Sequence, residues 1–254
     1  MPGTFQRIRS TGIGARIPLS RSNDLELLDA DRHDPAELAE NFRDIRRVNH
    51  LLGGTSAVLR HLPPLFRSIP VSETVTILDL ATGIADIPVA IVRWAQRNGR
   101  QVEIVASDSS AEILALAARD IAHIPNVSLA QYDARNVPLP DHRFHIVLCS
   151  LALHHFTPED ATRVLREMHR LASHGVILND LYRSRLGYAA AWLAAHLTTR
   201  NRLTRNDAPL SVLRAYTPDE LANLLMQAGY RSPVIEKHLW FRMAAVEMQV
   251  PHDT

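Results

Sequence analysis

The sequence predicts an α/β fold built on a doubly wound, mostly parallel sheet, and three observations carry that expectation. From residue 75 to residue 179, short apolar runs alternate with helical patterns, the rhythm of βαβ units. The run 76–80 ends in Ala81-Thr82-Gly83-Ile84-Ala85-Asp86 and leads into a helical pattern. A strand, a small-residue turn and a helix N-terminus in that order present backbone N–H groups to a ligand at the strand's C-terminal end. Twenty-five residues after Gly83 a second apolar run closes on Ser107-Asp108, where an acidic side chain can accept from both hydroxyls of a ribose. A nucleoside-containing ligand is expected.

The elements follow in order. Residues 24–69 carry no strand signal and read as a helical cap over the sheet's edge. Asp34-Pro35-Ala36-Glu37 is a helix start, with Asp34 as N-cap and Pro35 at the first position. Leu38, Phe42, Ile45 and Val48 repeat at helical spacing and the pattern stops at Gly53-Gly54. A short helix over 56–62 is expected to end at Pro63-Pro64. Strands follow at 75–80, 102–107, 127–132, 144–150 and 175–179, with helices at 87–98, 111–120 and 158–172. The alternation then breaks. Residues 182–216 read as an insert after the fifth strand: a helix over 187–199, then a polar loop with Asn201, Arg205, Asn206 and Asp207. An insert at that end of a sheet is placed as a substrate lid. Thr217-Pro218-Asp219-Glu220 opens a helix that ends at Gly229, and two strands with a tight reversal occupy 234–240 and 241–249.

Composition narrows the function classes. Of the 254 residues, 46% are hydrophobic and 22% charged, ordinary for a globular protein, and a net charge of +1 gives no footprint for nucleic acid or a charged membrane surface. No apolar run reaches the ~20 residues of a membrane span. The single cysteine, Cys149, cannot form an internal disulfide, which favours a reducing, cytoplasmic location. Residues 1–23 carry Arg7, Arg9, Arg16 and Arg21 and no acid, as in a transit peptide. Gly12, Gly14 and Pro18 interrupt any amphipathic helix there, so a flexible N-terminal arm is the preferred reading, followed by the cap (24–70) and one catalytic domain (71–250). The thirteen histidines show no metal-ligand spacing.

Taken together, the ordered residues Leu78-Asp79-Leu80-Ala81-Thr82-Gly83-Ile84-Ala85-Asp86, Ser107-Asp108, Asp133-Ala134 and the run from Phe144 to Phe156 resemble the class I S-adenosylmethionine-dependent methyltransferases. In motif they look most like the ubiquinone/menaquinone C-methyltransferase branch and related small-molecule enzymes. The resemblance covers about residues 72–250 and implies a seven-stranded, Rossmann-like sheet completed by a reversed strand. It implies S-adenosylmethionine as cofactor, with Gly83 and Ala81 at its methionine part and Asp79 and Asp86 on its ammonium group. Asp108 and Ser109 would meet the ribose, Asp133 and Ala134 the adenine, and Ser150 the region of the transferred methyl group. The chain departs from the family in having alanine, not glycine, at 81 and 85.

Methyl transfer to a phenol or enol also needs a base. His154 and His155 follow the fourth strand at the correct end of the sheet and are the catalytic candidates; packing with backbone hydrogen bonds is the alternative. Asp180, Tyr182 and Arg183 on the sheet's rim, and Asn49 and His50 in the cap, are expected acceptor contacts, each with a surface or capping role as its alternative. Trp192, Leu193, His196 and Leu197 give the insert an apolar face suited to a lipophilic acceptor, a core contact or a homodimer. Asn179-Asp180 raises the question of a divalent metal, but Cys149-Ser150 supplies no carboxylate beside it, and no metal is expected. A small aromatic or polyketide-like acceptor, methylated on oxygen before carbon, is the leading expectation. A cofactor-binding protein without turnover and an NAD-dependent enzyme on the same fold are the rivals.

Overall fold

Alternate side chains of the central strands divide into two apolar sets, and that division places helices on both faces of the sheet. The computed structural model describes residues 19–29 and 33–249. The strands are β1 (Val75–Leu80), β2 (Val102–Asp108), β3 (Val127–Gln131), β4 (Phe144–Ser150), β5 (Ala172–Leu181), β6 (Val234–His238) and β7 (Arg242–Met248). They form one sheet in the order β3-β2-β1-β4-β5-β7-β6. The first five pair in parallel, and β7 enters antiparallel between β5 and β6. This is the seven-stranded sheet with a reversed strand that the sequence implied.

On one face Leu78, Leu80, Val147, Cys149, Val176 and Leu178 pack with α5 (Pro158–Leu171) and α8 (Pro218–Gln227). On the other, Ile77, Ile104, Ile146, Leu148 and Ile177 meet α2 (Gly54–Arg67), α3 (Asp86–Arg97) and α4 (Ala111–Ile121). A smaller cluster joins Leu38 and Phe42 of α1 (Pro35–Leu51) to Ile84 in the β1–α3 loop. α6 (Arg185–Thr198) and α7 (Arg202–Arg214) form the insert. As expected, Asp34 caps α1 by accepting from the N–H groups of Ala36 and Glu37, and Thr217 with Glu220 forms a capping box on α8.

Four expectations are corrected. α2 runs through Pro63 and Pro64 to Arg67. Each interior proline costs about 3 kcal/mol, and burial of Leu62, Leu65 and Phe66, worth about 1.5–3 kcal/mol per side chain, offsets it. The same burial seats α2 on the face of the sheet rather than at its edge. Residues 202–214 are helix α7, not a loop. Its polar side chains hid it: Asn201 caps it by accepting from Thr204, and Asp207 accepts from the N–H groups of Leu27 and Leu28. Finally, the arm is docked over residues 19–23, where Leu19 O accepts from Arg183 and Ser22 N–H donates to Leu213 O. The rest of the expected arm, residues 1–18, lies outside the described residues.

No helix among the described residues is long and apolar enough to cross a membrane. Gly175 on β5 is a test of how tightly α2 is seated. A Cβ there would stand 2.6 Å from both Glu247 O and Leu65 Cδ2, so Gly175→Ala is expected to destabilise the protein by about 1–3 kcal/mol. Urea unfolding should show a lower midpoint at an unchanged slope.

Candidate functional site

The site grows from the C-terminal ends of β1 and β2. Thr82 N–H donates to Ser107 O (2.8 Å) and Ser107 Oγ donates to Asp79 O (3.0 Å), which locks the two strand ends together. The loop then turns through three residues in the left-handed region: Ala81 (φ 52°), Gly83 (φ 58°) and Ala85 (φ 59°). The two alanines therefore hold conformations that favour glycine. Gly83 N–H donates to Asp108 Oδ2 (3.1 Å), while Ser110 N–H donates to Asp108 Oδ1 (3.0 Å).

Three carboxylates ring this loop. Asp79 is buried, its Oδ2 accepts from Thr82 Oγ1 (2.6 Å), and its Oδ1 has no partner within the protein. Burial pushes its pKa up to about 8, with Asp86 and Asp108 adding to the rise. Burial also raises Asp86 and Asp108, against the hydrogen bonds each accepts. An acidic pocket at this loop suits a ligand that is cationic at one end.

Beyond β2 and β3, a cleft of about 80 Å³ is lined by Ala81, Ser109, Tyr132, Asp133, Ala134, Arg135 and Phe156. Four predicted cofactor residues thus share one wall. Arg135 grips the Asp133 carboxylate through Nε (2.9 Å) and Nη2 (2.7 Å), holding its pKa below the usual range. A carboxylate has about four acceptor positions, so the grip orients Asp133 and leaves it able to accept.

At the ends of β4 and β5 a second cluster forms. Leu151 sits at φ 55° and its N–H donates to Asn179 O (2.8 Å), while Asn179 Nδ2 donates to Ser150 Oγ (2.8 Å). Asn179 Oδ1, like Asp79 Oδ1, is buried without a partner. His154 is buried; Asp180 accepts from its N–H (3.0 Å) and lies 2.7 Å from its Nδ1. His155 Nδ1 lies 2.9 Å from Asp29 Oδ1, and its ring is partly open to solvent. Sequence reasoning did not find Asp29, Glu26 or Arg214. Glu26 is buried and accepts from Ser211 Oγ (2.9 Å), and burial pushes its pKa up to about 7. Arg214 donates to Asp29 (2.5 Å) and to His155 O (2.7 Å). The one signal in the chain was a run of acids, Asp24, Glu26 and Asp29, after a stretch of arginines.

The other predicted contacts separate. Asn49 Nδ2 donates to Asp86 Oδ2 (3.1 Å), and its Oδ1 accepts from the buried Arg242 (3.3 Å), so it braces the loop rather than lining an open pocket. His50, one residue on, is exposed. The Arg183 guanidinium is spent on Leu19 O, Ala215 O and Glu220. It is a clamp on the arm and α8, and not a free acceptor ligand. Tyr182 remains at the rim against Phe241, with Lys237 over its ring. Trp192, Leu193 and Leu197 face solvent, so the apolar side of α6 is not core. Asp180 accepts from His154, and Asn179 Nδ2 donates to Ser150 Oγ.

Residues 77–175, which span β1 to the start of β5, match the family model described as a methyltransferase domain. They form a methyltransferase domain. Ubiquinone/menaquinone biosynthesis C-methyltransferase UbiE of Escherichia coli O1:K1 is 28% identical over 169 residues, 62% of this chain and 66% of that protein. The matches span less than two thirds of these curated relatives. Among solved structures, the CurJ carbon methyltransferase superposes with a TM-score of 0.63 at 14% identity, covering 85% of this chain and 61% of that one. Human N-acetylserotonin methyltransferase, in complex with S-adenosylmethionine, gives 0.61 at 15% identity, with 85% and 56% covered. The methyltransferase domain thus has the fold of S-adenosylmethionine-dependent methyltransferases.

Asp79 makes the domain's stability depend on pH. Its folded pKa of about 8 lies above the unfolded value near 3.9, so the folded state keeps a proton that the unfolded chain releases. The contribution of Asp79 to stability is greatest below about pH 4 and falls as pH rises to about 8. Asp79→Asn is expected to remove that fall. Unfolding measured at pH 4 and pH 8 should show the variant gaining on the parent by on the order of a few kcal/mol at the higher pH.

Proposed function

We propose that the chain transfers a methyl group from S-adenosylmethionine to a small aromatic or polyketide-like acceptor, at a hydroxyl oxygen first and at carbon second. The observation that carries this reading is the juxtaposition of two sets of residues. The Gly83–Asp108 loop with its ring of carboxylates stands at the ends of β1 and β2, and two carboxylate-backed histidines stand after β4. The unpartnered Asp79 Oδ1 and the acidic loop fit the ammonium of the cofactor's methionine part, Asp108 its ribose, and the Ala134–Asp133 wall its adenine. Bound there, S-adenosylmethionine supplies a methyl group already activated on a sulfonium.

What remains for the protein is to place the acceptor, exclude water and take its proton. His155 is the base in this reading. Its ring is the more open of the pair, and it is close enough to bear on the charge of Asp108. Asp29 at Nδ1 fixes the tautomer, leaves the lone pair on Nε2 and stabilises the cation formed when the acceptor's proton arrives. His154, buried and tied to Asp180, holds the turn that presents it. Arg214 and Arg21 hold the same turn through its carbonyl oxygens. The acceptor would enter beneath residues 19–29 and the α6–α7 insert, whose residues supply the remaining walls. A homodimer through the exposed side of α6 and a cytoplasmic location complete the proposal.

Calorimetric titration with S-adenosylhomocysteine tests the cofactor half. Micromolar binding is expected, weakened at least tenfold in Asp108→Ala; binding of NAD in its place would overturn the reading. With phenol and quinol acceptors, His155→Ala is expected to lower kcat by about 10²–10⁴-fold while S-adenosylhomocysteine still binds as in the parent. Product NMR then separates oxygen from carbon methylation. A protein that binds the product and turns over none of a broad acceptor panel would be the regulatory rival.

A further inference from the structure

The two histidines after β4 are held in the same way, and the consequence reaches beyond a base. Asp180 stands at Nδ1 of His154 (2.7 Å) and Asp29 at Nδ1 of His155 (2.9 Å). A carboxylate on Nδ1 makes that nitrogen the protonated one and leaves the lone pair on Nε2, the arrangement that backs metal-ligating histidines. Both Nε2 atoms then face one carboxylate. His154 Nε2 is 3.7 Å from Glu26 Oε1, and His155 Nε2 is 3.9 Å from Glu26 Oε2. These separations are too long for hydrogen bonds, so no shared proton closes the triangle. One ligand atom from each of the three residues lies within 4.8 Å of the others.

The surroundings fit a cation. Ser211 Oγ donates to Glu26 Oε1 at 2.9 Å and so orients the third ligand as well. Three carboxylates, from Glu26, Asp29 and Asp180, meet at this turn. Against them stand the guanidiniums of Arg214 (2.5 Å from Asp29 and 4.0 Å from Glu26) and Arg21, which donates to His154 O and Phe156 O. Two nitrogens and one carboxylate oxygen, each oriented from behind, make a donor set for a divalent transition ion rather than for magnesium or calcium.

We propose that Glu26, His154 and His155 form a binding site for a divalent transition cation, with zinc as the reference ion. The site joins the segment before α1 to the turn after β4, across 128 residues of sequence, so no spacing motif could announce it. It stands on the geometry of these side chains and not on the methyl-transfer reading. One lone pair cannot be base and ligand at once, so methyl transfer with His155 as base belongs to the metal-free protein.

The test uses the full chain, stripped with a chelator, dialysed and titrated with zinc or cobalt(II). One zinc per chain retained through dialysis is expected, with a raised Tm and a visible d–d absorption for the cobalt form. Glu26→Gln and His155→Asn should each weaken zinc at least tenfold, and Asp29→Asn, which removes only the support behind His155, about 10–100-fold. His61→Asn is the control, because His61 and His238 form a separate histidine pair with Nε2 atoms 3.1 Å apart. Thermal unfolding of the metal-free variants shows that each is folded before it is scored. No retained zinc, or zinc lost with His61→Asn and kept by folded Glu26→Gln and His155→Asn, would overturn the site. Either result leaves the S-adenosylhomocysteine titration to be judged separately.

Discussion

Three carboxylates held around one bent loop are the constraint on which the rest depends. Asp79, Asp86 and Asp108 are all raised by burial, a costly arrangement unless something cationic shares the pocket. The fold is organised to sustain that cost. Ser107 and Thr82 lock the ends of β1 and β2, and Asn49 reaches from α1 to hold Asp86 while taking a hydrogen bond from Arg242 at the start of β7. Arg242 is itself almost wholly buried, and burial lowers its pKa to about 10. Helix α1, the loop and the last strand are therefore one electrostatic unit. The helical cap braces this loop and is not an accessory to it.

A second unit, at the ends of β4 and β5, depends on the arm. Arg21 and Arg214 bind the carbonyl oxygens of the turn that carries His154 and His155, while Glu26 and Asp29 face the imidazoles themselves. Arg183 fastens the arm from the far side at Leu19. Charged side chains that would be expected in solvent are used as internal struts. That explains why the insert reads as polar in sequence yet folds as a helix against the arm.

The sheet was legible because its signal is local. β1 and β4 were read with the bounds the structure gives, and the helices that follow β1, β2 and β4 differ by a residue or so at their ends. Asp34 and Thr217 announced their caps for the same reason. Gly83 and Asp108 were found from order and spacing and Asp86 from the family resemblance, and the structure brings them together. What was not legible is long-range. Nothing near Pro63 and Pro64 says that Leu65 and Phe66 will be buried deeply enough to carry a helix through them. Nothing near Arg183 says that its three donors will be taken by Leu19, Ala215 and Glu220. Asn49 and His50 were treated alike because they are adjacent in sequence, yet on a helix they point about 100° apart, and only Asn49 reaches the loop. Glu26 and Asp29 acquire meaning only when the segment before α1 folds back over His154 and His155.

The acidic loop's role is tested most directly by counting protons. S-Adenosylhomocysteine binding should be measured by calorimetry at pH 7 in buffers of differing ionisation enthalpy. With Asp79 near pKa 8, most free molecules hold its proton at that pH, and an ammonium placed beside the carboxylate would expel it. Release of about one proton per ligand bound is expected, reduced to near zero in Asp79→Asn. Tight binding with no buffer dependence in the parent would contradict the claim that the buried carboxylate, and not the loop backbone alone, receives the ligand's charge.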